Sequence, residues 1–191
     1  MKKAFSMIAM MAAAVVLAMP AGGQEQAKRD AAPRAAASPS QALLEAWNDV
    51  GRKLTAMAED FPEEKYDFKP APAERSFAEQ LLHAAGDNYT FIKPALGEKP
   101  PAPEDPKREE YKSKAAVVAF VTKSFADGAA VIKAKGDAGM NEMLTNPFSN
   151  QQVRLGDRAW SLLEHSGEHY GQLVVYYRVA GLVPPESRPK K

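Results

Sequence analysis

The chain has no cysteine and only three histidines among its 191 residues. The first absence removes disulfides, thiolate nucleophiles, thiolate metal ligands and any site for a lipid anchor. A metal site would have to be built from histidine, carboxylate and water. An excess of charge of either sign is also lacking. Lys and Arg total 25 against 24 Asp and Glu, a formal net charge of +1. That balance argues against nucleic acid or an anionic membrane as the main partner. Nothing reads as a sheet, beyond a strand-like piece around Val153.

The first residues read as an export signal. Lys2 and Lys3 precede a mostly apolar run from Ala4 to Met19, then the small residues Ala21-Gly22-Gly23. A basic start, a short apolar stretch and a small-residue cut site describe a secretory signal peptide. The run is too short for a convincing membrane span. Cleavage after Gly23 gives a mature chain of charge −1, because Lys2 and Lys3 are lost from the +1 total. The expectation is a periplasmic or secreted protein with no stable membrane insertion after cleavage. Residues 24–39, rich in alanine and charge, read as a flexible tether. The remaining length suits one domain with a real core.

Four helical patterns follow. Ser40 is expected to cap the first, which runs to about Glu59 with Leu43, Trp47, Val50, Leu54 and Met57 as one apolar stripe. Ser76-Phe77-Ala78-Glu79 has the form of a capping box and should start a helix reaching about Ile92. A proline-rich connection of about 20 residues leads to a third helix over roughly 113–135. The fourth should run from about Asp157 to Gly181, a left-handed cap, with Pro184 and Pro185 preventing continuation. Residues from Ser187 on read as a loose basic tail. Matched amphipathic helices predict an all-α fold, a four-helix bundle. The second connection is long enough to span the bundle, so helices two and three can run parallel.

His165 and His169 are four apart in the last helix, where Cβ atoms sit roughly 5–6 Å from one another. Such a pair can grip one ion from the same side, and His83 falls within the second helix. At about 100° per residue, Arg158, Gln172 and Tyr176 share the His165 face, while Leu163, Tyr170, Val174 and Tyr177 form a separate greasy face. Around His83 the neighbours include Gln80, Asp87 and Thr90. Spacing alone leaves two readings open, a shared metal or histidines on solvated faces. The form His-x-x-Glu-His also occurs in one class of zinc peptidases. That class needs a third ligand well downstream and a sheet, and the chain offers neither. Glu168 is the candidate general base for a metal-activated water, with a solvent-facing glutamate as the alternative.

Phe68-Lys69-Pro70-Ala71-Pro72, Arg75-Ser76 and Glu79-Gln80-Leu81-Leu82-His83 resemble the approach to helix two of the DinB-like (DinB/YfiT-like) metalloprotein family. His165-x-x-x-His169-x-Gly171-Gln172-Leu173, with Tyr177-Arg178-x-x-Gly181-Leu182-Val183-Pro184-Pro185-x-Ser187, is similar to that family's last helix and exit. Trp47 and Leu54 fit its first helix more loosely. The resemblance covers roughly residues 40–187. It implies an up-down-down-up bundle and a divalent metal, zinc or nickel, held by His83, His165 and His169. It further implies a homodimer and a metal-dependent transferase or hydrolase acting on a small molecule the sequence does not name. Characterised relatives include enzymes that use low-molecular-weight thiols. Those thiols are mainly cytoplasmic, which an export signal sets against the transfer of that chemistry. Glu168 and Tyr170 also stand where many relatives carry histidine or arginine. Arg158 and Gln172 are expected to orient an anionic or carbonyl group, with Tyr176 and Asp87 as further neighbours of the site. The competing readings are a non-catalytic bundle in which the ion is structural, and a partner-binding bundle that has lost its ion.

Overall fold

The computed structural model describes residues 37–100 and 106–189. The export signal and nearly all of the tether lie outside the described residues. The first helix, α1, spans Pro39–Asp60 and is capped by Ser38 rather than Ser40. Pro39 at the first helical position needs no hydrogen-bond partner for its nitrogen, so the helix starts two residues earlier than expected. Its stripe of Leu43, Trp47, Val50, Leu54 and Met57 is buried. The second rod is two helices in line, α2 (Phe77–Asp87) and α3 (Tyr89–Ala95), separated at Asn88. α4 spans Lys114–Gly139, with Gly136 in the left-handed region at its end. α5 spans Leu155–Val179, and Gly181 adopts the positive φ expected of a helix stop.

Which residues meet fixes the directions. Ser40 N donates to Asp137 while Lys114 Nζ reaches the Phe61 carbonyl, so α1 and α4 are antiparallel. Ser124 Oγ donates to the Ala85 carbonyl and Tyr89 OH to Asp127, so the α2–α3 rod runs parallel to α4. Gln80 meets Gln172 and Thr90 meets Arg158, which makes the rod antiparallel to α5. The bundle is therefore up-down-down-up. α1 and α2 each pack against α4 and α5 and barely touch each other, so they lie on a diagonal.

Two sequence expectations change. Residues Met143–Thr145 (β1) and Gln152–Arg154 (β2) pair as a short antiparallel hairpin, with Leu144 opposite Val153. Strands of three residues are too short to carry a period-two signal. The C-terminal segment is also not loose throughout. Arg188 pairs with Asp60 at 2.5 Å, and Glu186 with Arg52 at 2.7 Å, so it is pinned to α1.

The core has a dense aromatic end where α1, α2 and α5 meet. Phe61 and Phe77 stack with ring centroids 3.7 Å apart, and Tyr66 and Tyr177 close around them edge-on. Both tyrosine hydroxyls donate to α1 carbonyls, Tyr66 to Ala58 and Tyr177 to Met57. Farther along, Gly128 admits the Trp47 indole. A Cβ there would lie 2.2 Å from its ring, so only glycine permits this approach of α4 to α1.

Candidate metal centre

α2 is held in register before it reaches the site. Ser76 Oγ accepts from Glu79 N, and Glu79 Oε2 accepts from Ser76 N at 2.6 Å, closing the expected capping box. Tyr176 OH donates to the Arg75 carbonyl at 2.6 Å, tying α5 to that same start. Tyr176 thus anchors the helix pair, and burial raises its hydroxyl pKa to about 12. Two turns into α2, His83 comes opposite His165 and His169. One ring nitrogen from each of the three lies within 4.8 Å of the others. Ring centroids are 5.1 Å apart for His83–His165, 4.7 Å for His83–His169 and 4.3 Å for His165–His169.

The separate polar face expected for α5 does not exist. Its buried arc contains Leu162, Ser166, His169, Leu173, Tyr176 and Tyr177, so Tyr177 of the expected greasy face lies in the core, whereas Leu163, Tyr170 and Val174 are half-buried on the flank. The histidines point into the bundle, beside the core. They can do so because the facing rod supplies polar partners. His169 Nδ1 is 3.0 Å from Gln172 Oε1 and 2.6 Å from Gln80 Nε2, and Gln80 Nε2 donates to Gln172 Oε1. Gln80, 3% exposed, is the partner that the sequence reading noted beside His83 without giving it a role. Its place on the His83 side of a helical wheel was the available signal.

Asp87 is the carboxylate brought to the histidines. Its Oδ2 is 3.0 Å from His165 Nε2. The contact is at ion-pair distance, yet that buried nitrogen makes no hydrogen bond. Burial alone would raise the Asp87 pKa. Contact with His165 and the proximity of His83 and Arg158 outweigh it and hold the carboxyl below its ordinary value. Burial, then the neighbouring His165 and His83, depress His169 to about 4. Arg158, 8% exposed, donates through Nη2 to Thr90 Oγ1 at 2.5 Å. Glu168 is exposed, so the structure does not place this expected base in the buried cluster.

The donor set fits a transition metal. A histidine titrating near pH 4 is neutral at physiological pH, with an electron pair available. The unbonded buried nitrogen of His165 is the kind of atom that an ion would satisfy. Three imidazoles with no thiolate suit a borderline divalent cation.

A helical bundle with an up-down-down-up path and a three-histidine cluster between its second rod and last helix defines a class of metalloprotein-like folds. The family model of the DinB superfamily matches residues 46–173, and the chain belongs to that superfamily. Among solved structures it is similar to YfiT from Bacillus subtilis, described as "a probable metal-dependent hydrolase with an unusual four-helix bundle topology". That alignment has 16% identity and a TM-score of 0.58, over 79% of this chain and 94% of YfiT. A DinB-like protein from Bacillus cereus aligns at 18% identity and TM-score 0.59, covering 75% of this chain and 93% of its own. The DinB-like YjoA of Bacillus subtilis aligns at 15% and 0.58, covering 78% and 99%. At these identities the likeness establishes the fold alone. Comparison with curated proteins gives no match.

Proposed function

We propose that this protein is an exported metal-dependent hydrolase or transferase whose zinc or nickel ion is held by His83, His165 and His169. The observation that carries this reading is the convergence of three imidazole nitrogens within 4.8 Å. An ion held there would polarise a carbonyl or phosphoryl oxygen and ease proton loss from a water or thiol. The chain's own residues prepare the site. Metal binding would select the tautomer of His169 in which Nδ1 donates to Gln172 Oε1 and Nε2 keeps its electron pair, over the one in which Nδ1 accepts from Gln80 Nε2. Gln80 holds that amide in place. Asp87 Oδ2, beside His165, can take up a proton at the edge of the cluster and replaces Glu168 in that role. His83 and His165 are only half-buried, so a small molecule can approach from solvent. This exposure favours a working site over a purely structural ion.

Elemental analysis of the untagged mature protein after reconstitution should find near-stoichiometric zinc or nickel, and His83→Ala should lose it. A wild-type protein that retains no transition metal would end this reading. Export is supported by the basic and apolar order of residues 2–23. Fractionation of cells expressing the full chain should recover a shortened protein outside the cytoplasm, and an uncut cytoplasmic product would contradict it.

A further inference from the structure

Arg158 is a buried cation that the metal reading leaves without a task. Its Nη2 is taken by Thr90 Oγ1, which in turn donates to the Asp87 carbonyl at 2.6 Å. Its Nε is buried and has no hydrogen-bond partner. Among the described residues Asp87 acts on it through space, without a direct ion pair. A charge removed from water and left short of partners is costly, and proteins rarely keep one without a use.

One face of the guanidinium is covered by a single ring. Phe148, on the hairpin loop between β1 and β2, places its ring centroid 5.0 Å from the Arg158 guanidinium carbon and is itself 54% exposed. The same ring lines a cleft of about 720 Å³, walled on the hairpin side by Met143, Leu144, Asn146 and Pro147 and on the other by Pro94 and the oppositely charged pair Glu98 and Lys99. That volume suits a small organic molecule. Arg158 also precedes His165 by seven residues on α5, two helical turns or about 10 Å along the axis. Phe148 therefore joins a cleft of mixed polarity to a screened cation with a spare donor, and the candidate metal centre lies two turns farther along α5.

The geometry points to Arg158 as a substrate-binding residue. The molecule acted on at the histidine site carries a carboxylate that Arg158 receives behind Phe148, on an apolar body that rests in the hairpin cleft. A planar carboxylate matches the guanidinium fork, and a charge-assisted bond would satisfy the orphaned Nε. This assigns different tasks to the two residues first paired as orienting groups. Gln172 positions His169, and Arg158 takes the anion. The inference rests on the metal reading for the reaction, though carboxylate binding itself does not need the ion.

The test is calorimetric titration of the full chain with phenylacetate and with phenylacetamide, its neutral match, with and without a chelator. The acid should bind at least about tenfold more tightly than the amide in both conditions. Arg158→Gln should abolish that preference while circular dichroism stays helical. Should Arg158→Gln fail to fold, Arg158→Lys keeps the charge without the fork and should weaken acid binding relative to wild type. Equal binding of acid and amide by the wild type overturns the proposal, as does a folded Arg158→Gln protein that keeps the preference. A preference present only without chelator also overturns it, because the carboxylate would then be bound by metal. A protein that binds no metal but keeps the preference sinks the metal reading and leaves this one standing.

Discussion

The two ends of the contact between α2 and α5 are built on opposite principles. At the start of α2, Phe61, Phe77, Tyr66 and Tyr177 fill the space, and both hydroxyls find carbonyls. Toward the far end, four buried side-chain atoms among the described residues lack a hydrogen bond: Asn88 Oδ1, Arg158 Nε, His165 Nε2 and Ser166 Oγ. All four belong to the α2–α3 rod or the first half of α5. Unsatisfied buried groups are few in folded proteins and each calls for a reason. Their gathering within about two turns of α5, away from the aromatic end, separates a region that holds the bundle together from one with unmet hydrogen-bonding capacity.

Substitutions that truncate one end and depolarise the other should break this contrast if it is wrong. Phe77→Ala should have the largest effect, a loss of roughly 3–5 kcal/mol, because it removes a fully buried ring from a packed stack. Chemical denaturation measures it, and a loss below about 1 kcal/mol would deny the aromatic end its role. Ser166→Ala should act in the other direction. Its hydroxyl is buried and unpaired, so removal should stabilise the protein by about 1 kcal/mol, read as a raised denaturation midpoint. A marked destabilisation would mean that the hydroxyl has a partner, such as a buried water, and that this end is already satisfied.

The smallest effect is expected at the surface of the aromatic end. Arg188, and more weakly Tyr177, lower the pKa of Asp60 against the opposing effect of burial. A carboxyl depressed on folding stabilises the protein above its unfolded pKa, and that contribution disappears as the pH falls through the folded value. Asp60→Asn should therefore be slightly less stable than wild type above about pH 4, and the gap should close in stronger acid. Thermal melts of the two proteins across that range would show whether the clamp contributes at all, since both side chains are partly exposed.

Much of the site was legible because helical spacing is local chemistry. His165 and His169 share a face by virtue of being four apart, and the capping box at Ser76 fixes where α2 begins relative to His83. The burial of α5 was not legible. Leucine, valine and tyrosine occur around much of that helix, so an apolar arc can be drawn on more than one side. The flank with Leu163, Tyr170 and Val174 looked greasier by composition. The arc with His169 is buried because Gln80 stands opposite it and accommodates the ring, a fact about another helix. Gln80 had no separate signal beyond its place near His83. Asp87 was among the expected neighbours, and Glu168 looked equally able until the helix turned it outward.

By itself the sequence determined roughly where the helices lie, the capping box of α2, the apolar stripe of α1 and the pairing of His165 with His169, since each depends on residues within a turn or two of one another. Tertiary structure alone decided that His83 meets the other pair, that Arg158 lies under Phe148 and that Asp87 is the nearby carboxylate. Those contacts join positions roughly 10 to 90 apart in the chain. They depend on how separate rods settle against each other, which no local pattern encodes.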